Sequence, residues 1–452
     1  MRENEWVTRI TIVGGGPGGY EAALVAAQLG AEVTLIESRG LGGSAVLTDC
    51  VPSKALIATA AAMTGASDVD ALGLHALAPT LDLAQVNGRI LELAAAQSAD
   101  VGASIDRAGI RVIKGRATLN PDRSVVVDGG AIAGDVVLLA TGARPRVLPG
   151  AIPDGDRILT WDQIYALTSL PEHLIVVGSG VTGAEFASAY LALGSRVTLI
   201  SSRDHVLPGE DSDAAEVIET VFGRHGGVVL SRARANAARR SDDGVLVTLT
   251  DGREVSGSHV LMAVGSIPNT DGLGLTEAGI VLTVRGFIGV DRVSRTSVAG
   301  VYAAGDCTGV LMLASVAAMQ GRIAMWHALG DAVSPLALET VSSTVFTAPE
   351  IATVGNCDSG AEGISTIILP LATNARAKME KIEDGFVKLF SSSGVIVGGV
   401  ICAPRASELI YPITIAVSAR LLVDQIAQAF TVYPSLSGSI AEAARRLRIS
   451  SV

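Results

Sequence analysis

The chain has 452 residues, which is enough for about three domains of ordinary size. Its 34 Lys and Arg against 45 Asp and Glu give a net charge of −11, which argues against a basic nucleic-acid-binding surface and favours small-molecule partners. The composition, 49% hydrophobic with 51 glycines, is typical of stacked α/β units. Because the N-terminus has no apolar signal core and no apolar run of about 18 residues follows, we expect a cytoplasmic protein without a membrane span.

The first predicted elements are a strand, a glycine loop and a helix, which begin at Arg9. Gly14, Gly16 and Gly19 follow an apolar β-branched run in the spacing G-x-G-x-x-G. In this pattern glycine permits the tight turn, the approach of backbone to a pyrophosphate, and close packing of helix on strand. Glu37 stands at the end of the second predicted strand, where a carboxylate can accept hydrogen bonds from ribose hydroxyls. The segment predicts a dinucleotide site for an unphosphorylated ribose.

The four cysteines, Cys50, Cys307, Cys357 and Cys402, form no C-x-x-C or C-x-x-x-x-C pair and no zinc-ligand spacing. We therefore expect neither a disulfide framework nor a bound metal. A helix predicted to start between Pro52 and Ala55 would lower the thiol pKa of Cys50 and could make it reactive.

A second copy of the strand, loop and helix pattern lies between Leu174 and the Ala-rich segment after Gly183. Its glycines, Gly178, Gly180 and Gly183, have the same spacing as those of the first copy. Two matching copies in this context predict two dinucleotide sites rather than two ordinary glycine turns.

The two copies differ at the position that faces the ribose. Ser201 of the second copy stands at the offset that Glu37 has in the first, so the second site lacks the acid that would repel a 2′-phosphate. This site can accept NADPH as well as NADH. Arg203 either favours the phosphate or is a plain solvated arginine, since Arg39 has the same place in the first copy.

Three further motifs carry a family resemblance over nearly the whole chain. They are Ala140-Thr141-Gly142, Ala263-Val264-Gly265 and the run from Gly300 to Asp306 (GVYAAGD). With the two glycine loops, in this order, they resemble the pyridine nucleotide-disulfide oxidoreductases of the glutathione reductase and lipoamide dehydrogenase type. The resemblance implies that the first loop binds FAD, that Asp306 hydrogen-bonds its ribityl or phosphate region, and that the second loop binds NADH or NADPH.

The fold that the resemblance implies is α/β, with two Rossmann-like dinucleotide-binding domains and a C-terminal α+β dimerisation domain. We expect a discontinuous FAD domain (1–148 and 273–335), an NAD(P) domain (149–272) and an interface domain (336–452) that forms a homodimer. The FAD residues implied are Gly14, Gly16, Gly19, Glu37, Gly43, Ser44, Lys54, Gly115, Ala117, Thr141, Gly142, Asp306 and Ala314. The NAD(P) residues implied are Gly178, Gly180, Gly183, Glu185, Ser201, Arg203 and Gly265.

The chain departs from this family at its thiol chemistry. In the family two cysteines form a redox disulfide, and here Cys50 is present but Ala45 stands in the place of its partner. The family's histidine and glutamate near the C-terminus are matched by Tyr433 and Gly438, and no histidine follows His327. These three losses argue against disulfide reductase and lipoamide dehydrogenase activities.

The half of the site that receives hydride is retained. Lys54 and Glu185 match the ion pair that in the family lies beside the flavin, where the lysine stabilises negative charge on the reduced ring. A merely structural salt bridge is the other interpretation of this pair. We assign catalytic positions to Lys54, Glu185, Tyr433 and Cys50.

The function expected is two-electron reduction of a quinone by NAD(P)H through FAD, and the sequence looks closest to the family's disulfide-lacking quinone reductase branch. Tyr433 of the partner subunit would line an apolar acceptor cavity or donate a proton there. The alternatives left open are a soluble transhydrogenase, a single-cysteine peroxide or thiol reductase that uses Cys50, and a non-catalytic redox-sensing flavoprotein.

Overall fold

The computed structural model describes residues 7–67, 73–75 and 79–450. The chain divides into two compact units, the first comprising residues 1–55, 85–146 and 266–337 and the second residues 56–84, 147–265 and 338–452.

Helices and strands follow one another in three stretches of the chain. The elements up to residue 145 are β1 (Arg9–Val13), α1 (Pro17–Gln28), β2 (Glu32–Glu37), α2 (Gly43–Leu47), α3 (Cys50–Ser67), α4 (Leu83–Arg107), β3 (Arg111–Lys114), β4 (Ala117–Leu119), β5 (Val125–Val127), β6 (Gly130–Ile132), β7 (Val136–Leu139) and β8 (Ala143–Pro145). Those that follow up to residue 268 are β9 (Ile158–Thr160), β10 (His173–Val177), α5 (Val181–Ala192), β11 (Arg196–Ile200), α6 (Ser212–Arg224), β12 (Val228–Leu230), β13 (Ala235–Ser241), β14 (Gly244–Leu249), β15 (Glu254–Gly257), β16 (His259–Met262) and β17 (Ser266–Pro268). The last are β18 (Val301–Ala303), α7 (Ala314–Ala328), β19 (Ser342–Val345), β20 (Glu350–Gly355), β21 (Ile364–Pro370), α8 (Ala375–Met379), β22 (Phe386–Ser392), β23 (Val395–Ala403), α9 (Ala406–Leu409), α10 (Tyr411–Ser418), α11 (Val423–Gln428) and α12 (Gly438–Ser450).

The first unit is built on a parallel sheet in the order β18-β7-β1-β2-β3. In its central strand β1, Arg9 is exposed and the next four residues are buried, because helices cover one face of the sheet and a small sheet covers the other. The antiparallel strands β4, β5 and β6 form a second sheet, and β8 pairs with β17. Close approach of α1 to α7 needs glycine, since a Cβ at Gly321 would overlap the carbonyl oxygen of Gly18.

The second unit contains a parallel sheet in the order β12-β11-β10-β16-β9 and a small antiparallel sheet of β13, β14 and β15. It also contains an antiparallel sheet in the order β19-β20-β23-β22-β21, here called the interface sheet. Helix α12 shows why helices cover that sheet: Ile440, Ala443, Ala444 and Leu447 recur at helical spacing and are buried.

The predicted α/β class with two Rossmann-like sheets and a C-terminal α+β region is confirmed. The chain passes from one unit to the other after residues 146, 265 and 337, close to the predicted domain boundaries at 148, 272 and 335. Residues 56–84, which were expected in the FAD domain, fall in the second unit. The three-domain boundaries stay a prediction. Helix α3 begins at Cys50 rather than between Pro52 and Ala55, because proline is tolerated in the first helical turn.

One helical stretch in the described part of the chain, Gly43–Ala66, is long and apolar enough to cross a membrane, and 33% of its most apolar window is buried. Length and composition alone are weak evidence, since core helices pass the same test. The stretch carries Asp49 and Lys54 in its first half.

Candidate functional site

The predicted site residues of the first unit converge at one edge of its parallel sheet. Val13 pairs with Ile36 and with Leu139, and Leu139 pairs with Ala303, so the strands end side by side. Because the strands are parallel, the segments that follow them all emerge at this carboxyl edge. The segments are the first glycine loop, Glu37, Gly115, the run from Ala140 to Gly142, and the run from Ala304 to Asp306.

The first glycine loop has the geometry that its sequence predicts. Gly14 has φ 106° and donates its N–H to Ile36 O at 2.8 Å, which makes the tight turn after β1. A Cβ at Gly19 would overlap the carbonyl oxygen of Gly14, so helix and strand can pack only with glycine there. Helix α1 then begins at Pro17, with Gly16 as its N-cap and no side-chain cap. No side chain therefore occupies this end of the helix, where an anionic ligand is favoured.

Glu37 stands at the end of β2 and is tied to the glycine loop. Its Oε2 accepts a hydrogen bond from Gly15 N–H at 2.5 Å, and its Oε1 accepts from the amides of Ser38 and Arg39 at 2.7 Å each. Oε1 also accepts from Gly40 N–H at 3.3 Å. Four main-chain amides thus hold the carboxylate at the loop, and Oε2, which has one of these donors, keeps a lone pair for a ligand hydroxyl. Contact of Glu37 with a ribose stays a prediction.

Other predicted residues of this site lie around the same loop. Gly42 donates its N–H to Gly15 O at 2.8 Å, and a Cβ on Gly43 would fall 2.7 Å from Gly16 Cα. The start of α2, with Gly43 and Ser44, therefore packs against the glycine loop. Gly115 donates its N–H to Glu37 O at 3.0 Å, and the buried Ala117 opens β4.

The Ala140–Gly142 run is fixed by a residue that the sequence did not single out. Thr141 donates its hydroxyl to Asn269 O at 2.7 Å, and Asn269 Nδ2 donates to Thr141 O at 2.9 Å. Gly142 has φ 68° and open space where a side chain would be. This reciprocal pair holds the run while leaving the space beside Gly142 clear.

Asp306 lies in a 3₁₀ turn after β18, and Ala314 begins α7 shortly beyond it. Burial raises the pKa of the Asp306 carboxyl to about 6, and no described residue donates a hydrogen bond to it. Gln320 was missed by the sequence reasoning: it is buried, and its Oε1 accepts from Gly305 N–H at 2.9 Å. The available signal was a glutamine whose neighbours at helical spacing are all apolar: Val316, Ala317, Ile323 and Ala324. A desolvated, unpaired carboxylate on a fixed turn suits a ligand hydroxyl.

The unpaired carboxyl of Asp306 makes the ligand-free protein sensitive to pH. Its pKa is about 6 in the folded chain and about 4 when unfolded, so the contribution of Asp306 to the free energy of unfolding should fall as pH rises from about 4 to 6. The full loss amounts to about 3 kcal/mol. About 2 kcal/mol of it falls between pH 4.5 and 7.5, because pH 4.5 already lies above the unfolded pKa. Urea unfolding of ligand-free protein at these two pH values measures this part, and Asp306→Asn should reduce the difference. An equal difference in the variant would contradict this assignment.

None of the four cysteines is in a disulfide. Cys50 is the first residue of α3 and Lys54 lies one turn later, on the same helix face. Burial raises the pKa of the Cys307 and Cys357 thiols to about 11 and that of Cys402 to about 12. These three thiols are therefore unreactive at neutral pH.

The second glycine loop, in the second unit, repeats the geometry of the first. Gly178 has φ 114° and donates its N–H to Ile200 O at 3.0 Å, while a Cβ at Gly183 would overlap the carbonyl oxygen of Gly178. Gly180 is the N-cap of α5, again with no side-chain cap. Gly265, with φ 89° and open space beside it, follows β16 at the same edge. The second loop therefore has the backbone geometry that its sequence predicts, and its contact with a dinucleotide stays a prediction.

Ser201 is placed differently from its counterpart Glu37. It is fully buried, and its hydroxyl lies 2.7 Å from the hydroxyl of Ser179, a residue of the glycine loop that the sequence reasoning missed. Ser201 therefore fixes the loop from inside rather than facing a ribose. Arg203 is exposed beside it, and its N–H donates to Ser201 Oγ at 3.1 Å. Whether Arg203 meets a 2′-phosphate stays a prediction.

Glu185 lies on α5 and is buried, with 4% of its surface exposed. It is hydrogen-bonded to the segment that follows β19, the first strand of the interface sheet. Its Oε1 accepts a hydrogen bond from Phe346 N–H at 2.9 Å. One turn later, Ser188 Oγ accepts from Ala348 N–H at 3.2 Å. The carboxylate is thus oriented by backbone just after β19. The ion pair expected between Lys54 and Glu185 stays a prediction.

Tyr433 lies in an exposed apolar segment of the second unit. Its side chain is 85% exposed, and Phe430 and Val432, close to it in sequence, are 107% and 77% exposed. These three residues are here called the aromatic face. Exposed large apolar side chains grouped in this way are typical of an interaction surface.

Comparison with known proteins assigns the family. The model described as "Pyridine nucleotide-disulphide oxidoreductase" matches residues 8–321, and the model for that family's dimerisation domain matches residues 341–444. A protein of Mycobacterium tuberculosis named "NAD(P)H dehydrogenase (quinone)" is 56% identical, and the alignment covers 98% of this chain and 94% of the relative. A dihydrolipoyl dehydrogenase of Geobacillus stearothermophilus is 34% identical, with 97% and 95% covered.

Solved structures agree with this assignment. The crystal structure of LpdA from Mycobacterium tuberculosis matches with a TM-score of 0.93 and 56% identity, covering 98% of this chain and 100% of that one. The HOCl-induced flavoprotein disulfide reductase RclA from Escherichia coli matches with a TM-score of 0.85 and 25% identity, covering 97% and 99%. The chain belongs to the pyridine nucleotide-disulphide oxidoreductase family.

Proposed function

We propose that this chain is an FAD-dependent NAD(P)H:quinone oxidoreductase that works without a redox disulfide. The observation that carries the proposal is Ala45. It lies on α2 five residues before Cys50, in a chain whose two glycine loops are both formed and whose four cysteines form no disulfide. The 56% identity to a protein named for quinone reduction supports the same activity.

The residues of the first unit fit FAD. The amides at the start of α1 suit the pyrophosphate, Glu37 suits the adenosine ribose, and the unpaired carboxyl of Asp306 suits a hydroxyl of the ribityl chain. A flavin bound there would accept hydride from NAD(P)H and return two electrons to a quinone. We propose that Lys54 supplies the cation that stabilises negative charge at the flavin.

The residues of the second unit fit NADPH or NADH. The amides at the start of α5 suit the pyrophosphate. At the end of β11, where Glu37 has its counterpart, Ser201 stands in place of an acid that would repel a 2′-phosphate. Glu185, oriented by Phe346 N–H, is proposed to border the nicotinamide. The aromatic face is proposed to pair with a second copy of the chain, as the dimerisation-domain match supports. Tyr433 then serves as a wall of the acceptor cavity.

An anaerobic stopped-flow experiment tests the function. The purified protein is mixed with NADPH or NADH, and then with menadione, with lipoamide, or with an NAD⁺ analogue, while the flavin absorbance is followed. The proposal expects bleaching by the reduced nucleotide and rapid reoxidation by menadione but not by lipoamide. Reoxidation by the NAD⁺ analogue alone would indicate a transhydrogenase, and flavin that is not reduced would indicate a sensor.

Cys50→Ser is expected to change NADPH:menadione turnover by less than about threefold, because no second cysteine stands at Ala45 to accept electrons. Serine keeps the size of the side chain and removes only the thiol. Steady-state turnover, together with peroxide consumption, measures the effect. A loss of turnover greater than tenfold would revive the single-cysteine mechanism.

A further inference from the structure

The segment from Ser201 to Asp211, here called the β11–α6 loop, is bonded to the second glycine loop. Leu207 donates its N–H to Ser179 O at 2.7 Å, and the hydroxyls of Ser201 and Ser179 lie 2.7 Å apart. Glu219 of α6 also accepts from Val206 N–H at 2.7 Å. Since Ser179 lies between Gly178 and Gly180, the β11–α6 loop and the glycine loop cannot shift independently.

The far end of the β11–α6 loop is held by a buried lysine of the interface sheet. Lys388 on β22 places its Nζ 2.7 Å from Asp211 Oδ2 and 2.8 Å from Asp213 Oδ2. The side chains of Lys388 and Asp211 are only 6% and 7% exposed. Burial alone would lower the pKa of Lys388, but its hydrogen bonds to the two carboxylates more than offset this and raise it. The ammonium is therefore charged.

Asp211 joins this ion pair to the helix. Its Oδ1 caps α6 by accepting from Asp213 N–H at 3.1 Å and Ala214 N–H at 3.2 Å, while its Oδ2 takes the lysine. Next to it, Glu210 donates its N–H to Leu207 O at 3.0 Å. A continuous set of bonds thus leads from Lys388 through Asp211 and Leu207 to Ser179.

A second ion pair joins the same helix to the same sheet region but does not touch the loop. Arg224 at the C-terminal end of α6 pairs with Asp384 at 2.6 Å, and the two side chains are 50% and 30% exposed. Loss of this pair removes a link of the same kind and leaves the β11–α6 loop anchored. It therefore provides a matched control within the chain.

We propose that Lys388 is a positioning residue for the nicotinamide nucleotide, which it serves by fixing the β11–α6 loop against the second glycine loop. The proposal rests on the proposed function in one respect, which is that the second glycine loop binds NAD(P)H. Lys388 does not touch the nucleotide. Its removal leaves two carboxylates without their cation, one of them buried, so the start of α6 must move towards water and take the loop with it.

The test is nucleotide binding and turnover by the FAD-loaded Lys388→Met protein. Its Kd for NADP⁺, from titration of the flavin spectrum, and its KM for NADPH should rise about tenfold, with kcat for menadione nearly unchanged. Arg224→Gln should leave both constants at the wild-type value, and Lys388→Arg should restore them in part. Binding of NADP⁺ by folded Lys388→Met as tight as in the wild type would overturn the proposal.

Should Lys388→Met fail to fold, Asp211→Asn provides the second variant. Asparagine caps a helix as well as aspartate does, so this change removes the charge that faces Lys388 and keeps the cap. It should show the same rise in Kd, and an unchanged Kd would overturn the proposal. Wild-type protein that binds NADP⁺ but does not reduce menadione would refute the proposed function and leave the binding test of Lys388 valid.

Discussion

The Gly19→Ala protein is expected to purify without flavin, and the Gly183→Ala protein to purify with flavin that NADPH no longer reduces. Both substitutions make the same clash, because each new Cβ would overlap the carbonyl oxygen of the first glycine in its own loop. Relief of the clash must move helix away from strand and the phosphate-binding amides with it. A displacement of about 1 Å lowers the rate of a reaction between positioned groups about 100-fold or more.

Flavin absorbance of the purified proteins gives the first readout, and stopped-flow reduction by NADPH gives the second. Dithionite, which needs no nucleotide site, should still bleach the flavin of Gly183→Ala. Gly88→Ala in α4 and Gly223→Ala in α6 are matched helix controls, since a Cβ at either position meets no atom within 4 Å. Normal NADPH reduction in Gly183→Ala would show that the second loop does not bind the reductant.

Lys54→Met is expected to lower the rate of flavin reduction by NADPH about 100-fold while flavin stays bound. Lys54 lies near the start of α3. The first turn of this helix is fixed because Ser53 donates its N–H to the main-chain oxygen of Asp49 at 2.8 Å. Methionine keeps the length of the side chain and removes the charge, so the loss measures electrostatic stabilisation alone.

Single-turnover reduction under anaerobic conditions measures this loss, and Lys54→Arg should recover part of the rate because it keeps the charge. Lys114→Met is the control, an exposed lysine at the end of β3 in the same unit, and it should react at the wild-type rate. If Lys54→Met reduces its flavin within about threefold of the wild type, the charge has no such role.

The two dinucleotide loops were predictable because their constraints are local. Gly14 and Gly178 need positive φ, and Gly19 and Gly183 need a missing Cβ, so a span of six residues contains the whole requirement. The convergence of Asp306 with the first loop came from the family resemblance. The structure adds the reason, which is that β18 and β1 end at the same edge of one parallel sheet.

The remaining features depend on partners that are distant in sequence. Ser201 was expected to face a ribose, and its burial depends on the Ser179 hydroxyl, which no spacing rule connects to it. Lys388 meets Asp211 across 177 positions, and its strand would ordinarily predict a solvated lysine. Glu185 is oriented by a main-chain N–H, that of Phe346, which carries no side-chain signal at all.

The aromatic face has a consequence for how the proposed dimer responds to concentration. In the proposed dimer, a second chain would cover Phe430 and Tyr433, which are 107% and 85% exposed in the single chain. Mass action then adds the free energy of association to that of folding, and this contribution shrinks as the protein becomes more dilute. The melting temperature should fall with each dilution, and at cellular abundance the amount of protein made becomes a determinant of whether each chain stays folded.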